Sequence, residues 1–200
     1  ENNRYKFSLY PNLNKLLADR RASVQGDQVK ELIRSEIQNV FASGSGVERV
    51  FFPDRSNQIP DRPAVTFVVL SPDQSVKEEA KIYKFIEEMT QTYGKSARTF
   101  KSALVWIVTD SDMGLYDEGR KLIAWEAIQS EEDELKLDDI QKRQLSENVK
   151  RAQRDLKESI WRAYKNIILL DKNNKLKTTD LGLVHSSAAE NLVTLVLNRL

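Results

Sequence analysis

The sequence predicts an α/β protein with a small, mostly parallel sheet covered by helices. Two runs, residues 64–70 and 103–110, are apolar almost without alternation, which is typical of strands buried on both faces. Between them, residues 75–93 repeat apolar side chains at the helical period. A strand, a helix and a strand in this order predict adjacent parallel strands joined by a right-handed crossover. We take residues 103–110 as the central strand.

A third strand is predicted near residues 47–52, a short run rich in β-branched and aromatic side chains. Pro53 follows it directly, which favours an edge position because proline has no N–H to offer a neighbouring strand. The strands of the predicted sheet therefore lie near 47–52, 64–70 and 103–110.

The second half of the chain predicts one long helix over residues 137–168. Its apolar positions advance by threes and fours, and Asp138 with Gln141 three residues later has the pattern of a capping box. Beyond it, residues 167–178 predict a small hairpin, and Ser187 begins a terminal helix. We expect the long helix to project or to cover a face of the sheet.

The length of the chain and its tryptophans both indicate a protein with a sizeable core. Trp106, Trp125 and Trp161 fall on apolar faces of predicted elements, so core packing explains them better than base stacking. A length of 200 residues suits one domain. The chain begins at Glu1 without methionine and ends at Leu200 in the middle of an apolar pattern. We expect a single α/β domain, residues 1–200, excised from a longer protein.

The composition excludes several classes of function. The chain has 31 Lys and Arg against 30 Asp and Glu, so its net charge of +1 gives no global attraction to nucleic acid or to an anionic membrane. The absence of cysteine excludes disulfides, thiolate zinc sites and iron–sulfur clusters. His185 is the only histidine, and we expect no specific role for it. No run approaches the roughly 18 apolar residues of a membrane span, so we expect a cytoplasmic protein with no membrane partner.

Two carboxylates, Asp110 and Asp112, follow the predicted central strand, and their spacing is one that can share Mg²⁺ in phosphotransfer folds. The similarity to the Asp-x-Asp-Gly-Thr pattern of haloacid dehalogenases stops at Met113 and Leu115. A turn between a strand and a helix also selects Asp and Ser for capping. A Mg²⁺-dependent phosphotransfer or nuclease-like enzyme is therefore one alternative, and helix capping is the simpler interpretation.

A second alternative is a local nucleic-acid-binding module on the long helix. Lys150, Arg151 and Arg154 are the candidate phosphate contacts. Acidic residues such as Glu147 and Asp155 are interleaved with them, which favours an ordinary solvated face.

No sequence motif supports nucleotide binding within these residues. The chain contains neither Gly-x-x-x-x-Gly-Lys-Ser/Thr nor Gly-x-Gly-x-x-Gly. The sequence Gly44-Ser45-Gly46 follows a predicted helix and precedes a strand, the reverse of the order that a phosphate-binding loop requires. We therefore assign no catalytic, cofactor-binding or metal-binding residue from the sequence.

Several segments together resemble one protein family. They are Arg4-Tyr5-Lys6-Phe7, the run from Pro11 to Arg20, Pro60-Asp61, Arg98 ahead of Leu104-Val105, and the run from Lys121 to Trp125. The chain resembles a segment of the large prokaryotic AAA-like P-loop ATPases of unknown function. These are encoded beside DNA methyltransferases and helicases in phage-defence and DNA-modification islands.

The resemblance implies that the Walker A loop lies upstream of these residues. ATP and Mg²⁺ would then bind elsewhere in the full-length protein, and this chain would be a non-catalytic accessory or interaction domain. Its implied partners are the ATPase motor of its own polypeptide, neighbouring subunits and DNA. Arg98 is the candidate for reaching a neighbouring motor as an arginine finger does.

Overall fold

The computed structural model describes residues 11–42, 44, 46–111 and 114–182. Asp112, His185 and the terminal helix predicted from Ser187 lie outside the described residues, as does the segment Arg4-Tyr5-Lys6-Phe7 of the resemblance. By its internal contacts the chain forms two compact units. One comprises Glu1–Leu32 with Tyr116–Leu156, and the other comprises Ile33–Leu115 with Lys157–Leu200.

The described residues form five α-helices and seven β-strands. In chain order they are α1 (Leu13–Ser23), α2 (Gly26–Phe41), β1 (Glu48–Phe51), β2 (Thr66–Val69), α3 (Glu79–Gln91), β3 (Thr92–Tyr93), β4 (Ser96–Ala97), β5 (Leu104–Val108), α4 (Leu115–Ser130), α5 (Asp139–Ala163), β6 (Asn166–Leu170) and β7 (Leu176–Asp180). Short 3₁₀ turns precede α3 and β5.

The described part of the first unit is helical, and side chains cap the starts of α1 and α5. The side chain of Asn12 accepts a hydrogen bond from the Asn14 backbone N–H at 2.9 Å, which satisfies a donor at the start of α1. At α5, Asp138 accepts from the Gln141 N–H at 2.8 Å, and Gln141 accepts from the Asp138 N–H at 3.2 Å. The predicted capping box is confirmed.

The second unit contains a five-stranded sheet in the order β1-β2-β5-β6-β7. β2 pairs with β1 and with β5 in parallel, and α3 connects β2 to β5. These pairings confirm the α/β class, the predicted neighbours and the edge position of the first strand. β6 pairs antiparallel with β5, and β7 pairs antiparallel with β6. The sheet is therefore mixed rather than mostly parallel.

The predicted hairpin is present, and it extends the main sheet. β6 lies beside β5, with Trp106 opposite Ile168. This position is possible because the long helix ends earlier than predicted, at Ala163 instead of residue 168. Residues 166–170, of which the last four are apolar and which were predicted partly as helix, are then available as a strand whose first three side chains are buried.

The core of this unit lies on both faces of β5, all of whose residues are buried. On one face, Trp106 packs in a cluster with Val68 of β2 and with Ile82, Ile86 and Met89 of α3. Phe67 and Ile107 are one residue away from Val68 and Trp106 in their strands, so their side chains point to the opposite face of the sheet. Both are fully buried, so that face is covered as well. The predicted burial of Trp106 is confirmed at 0 % exposure, and Trp125 and Trp161 are buried as well.

Candidate functional site

A cleft opens at the carboxyl end of the central strand, where open α/β sheets commonly bind ligands. It has a volume of about 320 Å³ and is lined by Asp110, Ser111, Ser159, Arg162 and Ala163. The first two residues follow β5, and the other three belong to the last turn of α5. Sequence reasoning identified Asp110, whereas Ser159 was missed, because nothing in the sequence indicates which turn of a long helix meets a strand end.

Backbone and hydroxyl hydrogen bonds hold the two sides of this cleft together. The backbone N–H of Asp110 donates to the carbonyl of Ala163 at 2.8 Å, so the end of α5 is fixed to the end of β5. One residue later, the buried Tyr164 hydroxyl donates to the carbonyl of Leu70 at 2.7 Å, just beyond β2. The lining is therefore set by the fold rather than by a free loop.

Three polar groups of the cleft have no partner of their own. Within the part of the chain that the structure describes, neither the Asp110 carboxylate, nor the Ser159 hydroxyl, nor the Arg162 guanidinium makes a side-chain hydrogen bond or ion pair. The cleft thus offers one acceptor, one cation and a hydroxyl to a small polar molecule.

The same cleft is poorly suited to a polyphosphate. Ala163 is the last residue of α5, so the negative end of the helix dipole faces this region beside the Asp110 carboxylate. Arg162 alone would oppose these charges. Hard cations such as Mg²⁺ need several oxygen ligands, and the described residues contain no group of three or more Asp, Glu, His or Cys able to hold a metal. Because Asp112 lies outside the described residues, the paired-aspartate hypothesis stays a prediction.

Arg98 has a defined place inside its own chain. It is 2 % exposed, and its guanidinium donates to the backbone carbonyls of Ser56 at 2.8 Å, Ile59 at 3.1 Å and Pro60 at 2.8 Å. The guanidinium also lies 5.5 Å from the ring centre of Tyr93. Burial lowers the pKa of Arg98, and the nearby Asp61 charge offsets part of this effect. A guanidinium held in this way is not presented to a neighbouring subunit, which speaks against the arginine-finger role.

Asp61 holds the segment that follows Arg98. Its carboxylate accepts hydrogen bonds from the backbone N–H of Thr99 at 2.9 Å and of Phe100 at 2.8 Å. These two backbone donors, and then the positive charge of Arg98, lower the pKa of Asp61. Hydrogen bonds made by Arg98 and by Asp61 therefore join residues 56–61 to residues 93–100.

This tied region presents two aromatic side chains to solvent. Tyr93 is 41 % exposed and Phe100 is 37 % exposed. Asp61 holds the backbone of Phe100, and the ring of Tyr93 lies against the buried Arg98 guanidinium. We call Tyr93 and Phe100 the aromatic pair. Exposed aromatic side chains on rigid backbone are typical of protein interfaces, because little conformational entropy is lost when they are covered.

The basic residues of α5 lie on its exposed side. Lys150, Arg151 and Arg154 are exposed, while the neighbouring apolar residues Val149 and Ala152 are buried. Lys150 forms an ion pair with Glu147 at 3.5 Å. Arg151 and Arg154 have no ion-pair partner within the described ranges, so two of the three predicted phosphate contacts are available to a ligand.

Comparisons of the chain with protein-family models, with curated proteins and with solved structures give no match. Among the residues that the structure describes, no helix has both the length and the apolar character needed to cross a membrane.

Proposed function

We propose that the chain is a non-catalytic interaction domain of a larger cytoplasmic ATPase that acts in DNA modification or phage defence. The assignment to an ATPase rests on the resemblance carried by segments such as Pro60-Asp61 and the residues around Arg98. ATP and Mg²⁺ are bound elsewhere in the longer polypeptide, since these 200 residues have no Walker A motif.

The observation that carries the interaction role is the aromatic pair. Tyr93 and Phe100 are both exposed, the first with its ring against the buried Arg98 and the second on backbone that the Asp61 carboxylate holds. Aromatic rings held on ordered backbone suit an interface, because a partner that covers them buries apolar area and orders little of the chain. The partner is the motor part of the same polypeptide or of a neighbouring subunit.

The test is the association of the separately produced chain with the remainder of the polypeptide, measured by isothermal titration. We expect Phe100→Ser, alone and with Tyr93→Ser, to weaken association by about tenfold or more, as loss of an interface anchor does. Phe100→Ser is measured alone because Tyr93 also contacts Arg98.

The matched control is Ile140→Ser, which also removes an exposed apolar side chain, 74 % exposed at the start of α5 in the other unit. Its affinity should equal that of the unaltered chain, and melting temperatures should show that all variants are folded. Unchanged affinity of folded Phe100→Ser would contradict the proposal.

A second candidate function is local binding of nucleic acid through α5. Arg151 and Arg154 favour it, because both are exposed and neither is neutralised by an ion pair within the described residues. Phosphate contacts of this kind add affinity without reading sequence. The two functions are compatible, since DNA is among the partners implied by the resemblance.

A further inference from the structure

A second cavity lies in the sheet-containing unit, between α3 and the β6–β7 hairpin. Its volume is about 200 Å³. The lining residues are Tyr83, Glu87, Thr90, Gln91, Leu170, Asn174, Lys175 and Leu176. None of these residues takes part in the aromatic pair, the carboxyl-end cleft or the basic face, so the cavity goes beyond the proposed function.

The inner part of the cavity is apolar with one buried hydroxyl. Leu176 and Tyr83 pack against the core cluster around Trp106, and Leu170 is partly buried beside them. Thr90 is 1 % exposed, and its hydroxyl oxygen accepts the indole N–H of Trp106 at 3.0 Å. Its hydroxyl hydrogen has no acceptor within the described residues, so it remains available to an oxygen atom placed in the cavity.

The rim of the cavity carries one negative and one positive group. Glu87 comes from α3 and Lys175 from the hairpin turn. Neither forms an ion pair with the other, nor with any other residue that the structure describes. The charge of Lys175 also helps to lower the pKa of Asp171 in the same turn. A ligand that carries both charges itself can meet Glu87 on the helix and Lys175 on the turn, across a cavity of mixed polar and apolar lining.

The hairpin turn holds Lys175 in place before any ligand arrives. Asp171 accepts the backbone N–H of Lys175 at 2.9 Å and of Asn173 at 2.7 Å. Asn174 takes the left-handed conformation, φ 57°, that this turn requires and that asparagine tolerates well. The Lys175 backbone is therefore fixed, and binding would order only the end of its side chain.

The size of the cavity narrows the class of ligand. A volume of about 200 Å³ corresponds to roughly seven water molecules, below the range of roughly 300 to 1,000 Å³ found for drug-sized ligands. We infer that this cavity binds a small α-amino acid with an aliphatic side chain. The ammonium group meets Glu87, the carboxylate meets Lys175 and the Thr90 hydroxyl, and the side chain packs on Leu170 and Leu176.

The test is titration of the whole chain with L-leucine, followed by calorimetry and by the NMR signal of the Trp106 indole N–H, whose acceptor Thr90 lines the cavity. We expect saturable binding with a Kd on the order of 1 mM or tighter, together with a shift of that signal. Two analogues that each lack one charge, 4-methylpentanoate and 3-methylbutylamine, should bind at least about tenfold more weakly. Equal binding of either analogue would overturn the zwitterion assignment.

Variants at the rim test the residues themselves. Glu87→Gln and Lys175→Gln should each weaken L-leucine binding by about tenfold or more. The matched controls are Glu88→Gln and Lys172→Gln, exposed neighbours in the same helix and turn that do not line the cavity. These controls should bind as the unaltered chain does. The inference fails if L-leucine gives no saturable binding, or if both rim variants bind it with unchanged affinity.

Discussion

Asp61 and Arg98 each hold the backbone that adjoins the other. The Asp61 carboxylate accepts the N–H groups of Thr99 and Phe100, immediately after Arg98. The Arg98 guanidinium donates to the carbonyl of Pro60, immediately before Asp61, at 2.8 Å. This reciprocal arrangement joins the loop before β2 to the segment before β5, and it sets the backbone that carries Phe100.

Replacing Arg98 should destabilise the protein strongly. Arg98→Ala leaves the carbonyls of Ser56, Ile59 and Pro60 without their donor in a buried site, so we expect a loss of about 3 to 5 kcal/mol in the free energy of unfolding. Arg98→Lys should lose about 2 kcal/mol, since one ammonium cannot reproduce the forked geometry. Urea denaturation measures both.

The control for Arg98 is Arg55→Ala. The Arg55 side chain is 72 % exposed and its ion-pair partner is Asp54. Such surface pairs contribute about 0 to 1 kcal/mol. A denaturation midpoint of Arg98→Ala equal to that of Arg55→Ala would show that the buried hydrogen bonds contribute little.

Acid should weaken the contact made by Asp61. Its pKa is lowered below the usual 3.8, mainly by the two backbone donors, so the unfolded state binds more protons than the folded state in this range. The stability that Asp61 contributes is therefore present above its unfolded pKa and is lost as pH falls through the folded one. We expect the stability of Asp61→Asn to depend less steeply on pH below about 4. Parallel curves for variant and parent, measured by urea denaturation along a pH series, would contradict this.

Trp106 should be a major contributor to core stability. Trp106→Ala is expected to lower the free energy of unfolding by about 3 to 5 kcal/mol, because it empties a fully buried site. Thr90→Val should cost about 1 to 3 kcal/mol by removing the acceptor of the indole N–H. In a Trp106→Phe background the same Thr90→Val change should cost much less. Equal losses of unfolding free energy in the two backgrounds would show that Thr90 does not stabilise the protein through this hydrogen bond.

If α5 binds nucleic acid, its basic side chains should make the affinity fall as the salt concentration rises. Replacing Lys150, Arg151 and Arg154 by Gln should reduce the slope of log affinity against log salt by about 2 to 3 on duplex DNA. The charge-matched control replaces Lys77, Lys81 and Lys84, exposed lysines at α3, and should leave the slope unchanged. A gel-shift series at several salt concentrations measures both, and equal slopes for the two triple variants would remove this candidate function.

The strands could be predicted because each buried strand has an uninterrupted apolar sequence. Residues 64–70 and 103–110 can be buried on both faces only as neighbours, and the helical pattern between them leaves a parallel crossover as the simplest connection. Ile167 and Ile168 carry the same kind of signal at the β6 strand. The predicted end of the long helix, at residue 168, was wrong. The apolar spacing of α5 continues through residues 167 and 168, but these residues form part of β6.

The polar contacts could not be predicted in the same way. Arg98 binds backbone carbonyls that lie some forty residues earlier in an irregular loop, and such an acceptor set has no periodic sequence pattern. Pro60-Asp61 and Arg98 appeared in the sequence only as separate parts of a resemblance. Likewise, Asp110 was recognised from its place after a strand, but its neighbours Ser159 and Arg162 depend on where α5 ends.

The most direct test of the interaction-domain proposal is ATP turnover. It should be measured for the 200-residue chain alone and for the complete polypeptide, the latter with the parent sequence, with Tyr93→Ser and Phe100→Ser together, and with Ile140→Ser. We expect no turnover by the chain alone. The complete polypeptide should turn over ATP, the aromatic-pair variant should lose activity by about tenfold or more, and Ile140→Ser should match the parent. Turnover by the chain alone, or undiminished turnover in the aromatic-pair variant, would contradict the proposal.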